Sequence, residues 1–228
     1  MPRDYSPALG ESRKRSVADQ KRFLSALLRD PRRAGAVAPS SHALARAMAR
    51  FARKRDGLVV ELGPGTGPVT QALLESGVPR EKLVLIEYDV NFCRLLESRF
   101  PGVRVLRGDA FRLAATLSDS VETDVAAVVS SLPLLNEPPP SRARLLDEAF
   151  SLMGAAGVFV QFTYGLGPPI RRDALGGRYT LRRRASIWGN LPPAHVWVYE
   201  SAHEATAHEP VASRLREKAA MLLKGRAT

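Results

Sequence analysis

Cysteine is nearly absent from this chain. Cys93 is its sole thiol, which excludes internal disulfides and points to a reducing compartment. Long apolar runs are missing as well. Nowhere do about 18 to 20 apolar residues follow one another, and no early run has the apolar core of a signal peptide, so no membrane-spanning helix is expected. Acidic residues are scarce: 23 Asp and Glu stand against 34 Lys and Arg, a net charge of +11. Such an excess implies an anionic partner, either nucleic acid or an acidic membrane surface. His42, His195, His203 and His208 lack metal-ligand spacing and read as surface or structural, so no metal is expected. No repeat or low-complexity tract occurs. What is present is an ordinary apolar share of 45% in 228 residues, enough for one core domain with appended segments.

The chain is organised around Glu61-Leu62-Gly63-Pro64-Gly65-Thr66-Gly67. Leu58-Val59-Val60 before it reads as a buried strand, and Val69 to Leu74 after it as the first turns of a helix. Glycines at alternate positions let the chain turn tightly and let a ligand lie against bare backbone. The helix start points free N–H groups at the same place. A dinucleotide fingerprint, Gly-x-Gly-x-x-Gly, would need its third glycine where Pro68 stands. The third glycine is Gly67 instead, and Glu61 sits just ahead of the first. That spacing suits S-adenosylmethionine better than a pyrophosphate.

From Leu58 to about Tyr164 strand and helix alternate. Strands are expected at Leu58 to Leu62, Leu83 to Tyr88, Val103 to Arg107, Val125 to Ser130 and Gly157 to Tyr164. Helices are expected over about 67–76, 90–99 and 140–153. This rhythm predicts an α/β protein with a doubly wound, mostly parallel sheet. Tyr179 to Trp188 and Val196 to Glu200, joined by Asn190-Leu191-Pro192-Pro193, predict an antiparallel end to the sheet. Trp188 and Trp197 read as core residues, and Cys93 as a helix packing residue.

Ahead of the core, Val17, Phe23, Leu24, Leu27 and Leu28 recur at helical spacing, with Lys14, Arg15, Lys21, Arg22 and Arg29 in other directions. Such a basic amphipathic helix fits an interfacial segment on anionic lipid, or a helix docked on the protein's own core. Pro39-Ser40-Ser41 supplies cap residues for a helix from about His42 to Arg53. The tail from about Glu209 reads as basic.

In doubly wound sheets ligands bind beyond the carboxyl ends of strands. Glu87 ends the second strand about 20 residues past the glycines, the usual place for an acid that holds ribose hydroxyls. Tyr88 follows, where an aromatic ring can lie on adenine. Asp109 and Ala110 follow the third strand; the carboxylate can accept the adenine amino group, and the small neighbour lets backbone approach the ring. Ser130-Ser131-Leu132-Pro133-Leu134-Leu135 ends the fourth strand and would face the transferred methyl group.

Residues 58–164 thus resemble the seven-stranded, Rossmann-like class I S-adenosylmethionine-dependent methyltransferases, in the glycine motif, Ile86-Glu87 and Gly108-Asp109-Ala110. Phe23-Leu24 through Gly35-Ala36-Val37-Ala38-Pro39-Ser40-Ser41, Leu132-Pro133-Leu134-Leu135, and Gln161-Phe162-Thr163-Tyr164-Gly165 resemble one branch, the bacterial phospholipid N-methyltransferases. The resemblance implies successive methylation of phosphatidylethanolamine toward phosphatidylcholine, with S-adenosyl-L-homocysteine as product, by a cytoplasmic protein held peripherally at the inner face of the membrane. Ornithine-lipid N-methyltransferases are close relatives, and that head group is the alternative. The runner-up from another substrate class is ribosomal RNA adenine N6-dimethylase, a family that shares the core, the Ile-Glu acid and an Asn-Leu-Pro-aromatic element. Here Ser131 replaces the Asn and Leu134 the base-stacking aromatic, which counts against RNA, so no nucleic-acid partner is expected.

The implied cofactor residues are Glu61, Gly63, Gly65, Thr66, Gly67, Glu87, Tyr88, Asp109, Ala110 and Ser130. Ser41, Leu132, Pro133 and Tyr164 would hold the lipid amine, with Tyr164 as the catalytic residue that orients it. Lys21, Arg22, Phe23, Leu24, Leu27, Leu28 and Arg29 would meet the membrane. Residues 1–53 are then a membrane dock and lid, 54–202 the methyltransferase domain, and 203–228 a basic tail.

Overall fold

Five aliphatic runs become parallel strands: β1 (Leu58–Leu62), β2 (Leu83–Glu87), β3 (Arg104–Arg107), β4 (Val125–Ser130) and β5 (Val158–Thr163). Two more, β6 (Tyr179–Ile187) and β7 (Ala194–Ser201), are antiparallel to each other, and β7 is antiparallel to β5. The order across the sheet is β3-β2-β1-β4-β5-β7-β6. These elements come from a computed structural model that describes residues 39–52, 56–117, 124–188 and 193–202. The basic stretch over 17–33, with its expected membrane residues, lies outside the described residues, as does the tail over 203–228.

β1, β2 and β4 are buried along their whole length because helices cover both faces, which is why they read as unbroken apolar runs rather than alternating ones. On one face, α1 (Pro39–Ala52), α2 (Pro68–Glu75) and α3 (Val90–Arg99) bury Leu44, Met48, Leu73 and Leu96 against Val59, Leu85, Val129 and Val160. On the other, α4 (Leu113–Leu117) and α5 (Pro139–Met153) bury Leu113, Leu145 and Phe150 against Val60, Val84, Val128 and Phe159. Successive strand residues serve opposite layers, as the pleat requires. Both edge strands carry exposed arginines, Arg104 and Arg107 on β3 and Arg182 to Arg184 on β6. Charge on an edge discourages pairing with another chain.

Three details differ from the sequence expectation. The helix expected from His42 begins at Pro39; proline fits a first turn, where its missing N–H has no partner to lose. α4 was not expected, because five residues following a 3₁₀ turn at Ala110–Arg112 are too short to show a period. Trp188 is 77% exposed rather than core, since it lies just past the end of an edge strand.

The glycine corner depends on packing as well as on turning. Gly67 has φ 82°, and a Cβ there would stand 2.4 Å from Phe100 Cε2. Left-handed strain costs roughly 1–2 kcal/mol, and overpacking typically about 1–3 more. Gly67→Ala is therefore expected to lower the urea midpoint by an amount equal to about 2–5 kcal/mol. A midpoint lowered only by the left-handed strain, about 1–2 kcal/mol, would show that Phe100 yields freely.

Candidate active site at the strand ends

The strand order reverses between β1 and β4, so the crevice of this sheet opens at their carboxyl ends. Glu61 lies there on β1, fully buried between β2 and β4. Thr70 Oγ1, from the first turns of α2, donates to its Oε2 at 2.6 Å, while Oε1 has no partner. Burial pushes its pKa up to about 8; the Thr70 bond opposes the rise and the neighbouring Glu87 adds to it. Near neutral pH this carboxyl is mostly the uncharged acid.

Glu87, at the end of β2, is held differently. Its Oε2 accepts from Gly65 N–H at 3.1 Å, and its Oε1 from Tyr88 N–H at 2.8 Å and Asp89 N–H at 3.0 Å. A carboxylate offers about four lone-pair sites, so a ligand can still be accepted. The glycine loop is further tied down by Arg99, whose Nη1 donates to the Thr66 carbonyl at 2.7 Å. Tyr88 is exposed, and Ala110 is buried beside exposed Asp109. Asp109 Oδ1 caps the following turn by accepting from Phe111 N–H at 2.9 Å. Gly108 N–H donates to the Glu87 carbonyl at 3.0 Å, tying the β3 and β2 ends together.

At the end of β4, buried Ser130 accepts from Leu132 N–H through its Oγ at 3.4 Å. Ser131 Oγ is buried without a partner. Gly63 lets β1 reach the same loop, for a Cβ on it would stand 2.7 Å from Leu132 Cδ2. Gln161, fully buried on β5, donates from Nε2 to the Leu132 carbonyl at 2.9 Å and the Phe162 carbonyl at 2.7 Å, while its Oε1 is unpartnered. Tyr164 stands just past β5, 45% exposed, its ring edge-on to Phe162 at 5.6 Å. Pro133 is exposed on the Leu132 loop. Ser41 lies in the first turn of α1, and its side chain is outside the described residues.

The structure thus brings Glu61, Glu87, Ser130, Leu132 and Tyr164 to the carboxyl ends of neighbouring strands. Sequence reasoning missed Thr70, the helix partner of Glu61, and Gln161 on β5. Thr70 had no signal beyond its place in a helix, whereas Gln161, a polar residue inside an apolar strand run, was the available sign. Glu61 Oε1, Ser131 Oγ, Gln161 Oε1 and Trp197 Nε1 are the buried side-chain polar atoms without partners among the described residues. Such atoms are rare in folded proteins. Gln161 and Trp197 pair directly across β5 and β7 and share one face of the sheet, whereas Glu61 on β1 points to the opposite face, where Thr70 of α2 meets it.

No family model matches the chain. It is 30% identical over 145 residues to the ornithine lipid N-methyltransferase of Singulisphaera acidiphila, a match covering 62% of this chain and 76% of that one. It is 41% identical over 98 residues to the ribosomal RNA small subunit methyltransferase A of a Synechococcus strain, covering 41% of this chain and about a third, 32%, of that one. Among solved structures, the 1,6-didemethyltoxoflavin-N1-methyltransferase of Burkholderia thailandensis, which holds S-adenosylhomocysteine, shares the fold at 16% identity and a TM-score of 0.61, covering 89% and 94% of the two chains. With this sheet, this glycine corner, and the Singulisphaera relative matched over most of its length, the chain belongs to the class I S-adenosylmethionine-dependent methyltransferase family.

Proposed function

We propose that this enzyme methylates the amine of a zwitterionic lipid head group. Phosphatidylethanolamine, carried in successive transfers to phosphatidylcholine, is the substrate we favour, and the Singulisphaera relative makes ornithine lipid the second reading. The observation that carries the lipid reading lies in the Leu132 loop. Two unpartnered acceptors, Ser131 Oγ and Gln161 Oε1, flank an apolar segment, which suits a small N–H donor. Leu134, where the RNA adenine dimethylases carry a base-stacking aromatic, is 1% exposed and packed in the core. It is not available to a flipped base.

S-adenosylmethionine supplies an electrophilic methyl group on a sulfonium centre. In this reading Glu87 holds its ribose hydroxyls, and Gly63, Gly65, Thr66 and Gly67 let its body lie against backbone. Tyr88, Asp109 and Ala110 frame the adenine. Glu61 faces the cationic amino-acid end, where its unpartnered oxygen gains a donor and its carboxyl ionises. Ser130 orders the Leu132 loop. Gln161 and Ser131 accept N–H bonds from the lipid amine and so aim its lone pair, which is the positioning that in-line transfer requires. The apolar wall lowers the ammonium pKa by disfavouring its charge. Tyr164 presents an aromatic face, which tolerates a nitrogen becoming quaternary.

Among the described residues no helix is long and apolar enough to cross a membrane. Docking through Lys21, Arg22, Phe23, Leu24, Leu27, Leu28 and Arg29, with Ser41 reaching the head group, is part of this proposal. So is the division into dock, catalytic domain and basic tail.

The test is incubation of the full chain with labelled S-adenosylmethionine and vesicles containing phosphatidylethanolamine, ornithine lipid and an anionic lipid, alongside small-subunit ribosomal RNA. Label is expected in the phosphatidylethanolamine series, with the protein sedimenting with the vesicles. Label in ornithine lipid alone would select the second reading, and label in RNA but not in lipid would overturn both.

A further inference from the structure

One of the unpartnered buried atoms, the Trp197 indole nitrogen, lies past the site just described. Trp197 on β7 pairs in register with Gln161 on one side and with Arg183 on β6 on the other. There the sheet opens into a cleft of about 810 Å³ lined by Arg171, Arg172, Arg182, Arg183 and Trp197. Asp173, beside it, pairs with Arg171 at 3.3 Å. Arg172 is held by the Leu181 carbonyl at 3.1 Å, and the Arg183 guanidinium lies over the Trp197 ring at 5.9 Å. Among the described residues Arg182 and Arg183 meet no carboxylate. Trp197 is only 8% exposed, and its indole N–H has no acceptor. An indole N–H can only donate, so whatever completes it brings an acceptor. Guanidinium groups that line one cleft, two of them without a carboxylate, fit an oxyanion.

We infer that this cleft is an anion subsite for the substrate head group, holding the phosphate or carboxylate that lies a short arm away from the methylated amine. The inference rests on the lipid reading above and deepens it. Position supports it. Leu135, which follows Leu134, and Gly165, which follows Tyr164, both line the cleft, so cleft and amine site share two loops. Arg142 clamps those loops together, donating from Nη2 to the Leu135 carbonyl and from Nη1 to the Pro169 carbonyl, each at 2.9 Å. Gln161 and Arg183 are two strand spacings apart, roughly 10 Å, a gap that an arginine side chain and a head group together fill. Leu166, 87% exposed, stands between Gly165 and Gly167, both of which line the cleft. A lipid seated here would have its acyl chains leave past an apolar side chain. Trp197 lies beneath Arg183 rather than offering a platform on which RNA bases stack.

The chain has two tryptophans, and Trp188 is exposed, so in a Trp188→Phe protein all indole emission reports from the cleft. This protein is titrated with glycerophosphoethanolamine, ornithine, inorganic phosphate and a single-stranded oligoribonucleotide. A saturable change with glycerophosphoethanolamine or ornithine is expected, tighter than with inorganic phosphate. Adding Arg182→Gln and Arg183→Gln should weaken it about tenfold or more, as the loss of a charged hydrogen bond implies, while S-adenosylmethionine affinity stays unchanged and shows the fold intact. The ligand that saturates more tightly names the anion as phosphodiester or carboxylate. A response to the oligoribonucleotide or to inorganic phosphate alone, no response at all, or one indifferent to the arginine changes would overturn the inference. Lipid turnover separates the two claims. If the titration holds and no lipid is methylated, the anion subsite stands and the proposed function falls. If lipid is methylated with the same KM in the arginine variant, the function stands and the subsite falls.

Discussion

Replacing Glu87 with alanine is expected to weaken S-adenosylmethionine binding by about 1.5–3 kcal/mol, a rise in Kd of roughly ten- to over a hundredfold. Two losses combine. The ribose hydroxyls lose a charged acceptor, and the N–H groups of Gly65, Tyr88 and Asp89 lose the oxygen atoms that aim the glycine loop at the ligand. Glu87→Gln separates them, because the amide keeps one accepting oxygen and turns the other position into a donor. It should fall between the parent protein and Glu87→Ala. Calorimetry with S-adenosylmethionine and S-adenosylhomocysteine reads both, and the two ligands should lose affinity alike, since ribose is common to them. Unchanged affinity in a folded Glu87→Ala protein would remove Glu87 from the site.

The second large effect is on pH. Glu61 is buried, and its pKa is raised to about 8 from an ordinary value of 4.5. Between those values the folded protein keeps a proton that the unfolded chain has lost. Stability of the ligand-free protein therefore falls as pH rises through this window, by at most about 1.4 kcal/mol per unit, and levels off above the folded pKa. Ligand affinity runs the other way. A cationic group beside Glu61 favours the carboxylate, so below about pH 8 S-adenosylmethionine must also drive ionisation, and its Kd should rise up to about tenfold per unit on acidification. The ligand's own α-ammonium titrates at about pH 8 as well, so the decisive comparison is with Glu61→Gln. That variant keeps the shape and the neutral state but cannot ionise. It should bind more weakly at pH 8, and its affinity should vary little between pH 6 and 7.5. Calorimetry across that range in buffers of different ionisation enthalpy would also show proton release by the parent protein alone. Identical pH profiles for the two proteins would mean that Glu61 is a structural acid with no ligand beside it.

Much of this site was legible in the sequence, and the reason is local. A strand, a glycine turn and a helix start follow one another within residues 58–74, so the corner could be recognised from spacing alone. Glu87 and Asp109 were legible for the same reason, each marking where an apolar run ends. The seven strands fell within a few residues of their expected places: β1, β2 and β4 are aliphatic runs, and the polar edge strands β3 and β6 are bounded by glycine, proline or turn residues. Trp188 misled because a tryptophan at a strand end reads the same whether that strand is central or at an edge.

What the sequence by itself determined is the order of the elements, the acids that stand at the strand ends, and the basic excess of the chain. Tertiary structure alone decided which buried polar atoms were left without partners. Whether Glu61 Oε1 or Gln161 Oε1 is satisfied depends on α2 and on the Leu132 loop, which pack there from other parts of the fold. It also decided that β7 would lie between β5 and β6, and so set Arg183 over Trp197 and two strands away from Gln161. Periodicity reports what a residue's chain neighbours bury, whereas hydrogen-bond completion and charge convergence are properties of residues that only folding makes adjacent.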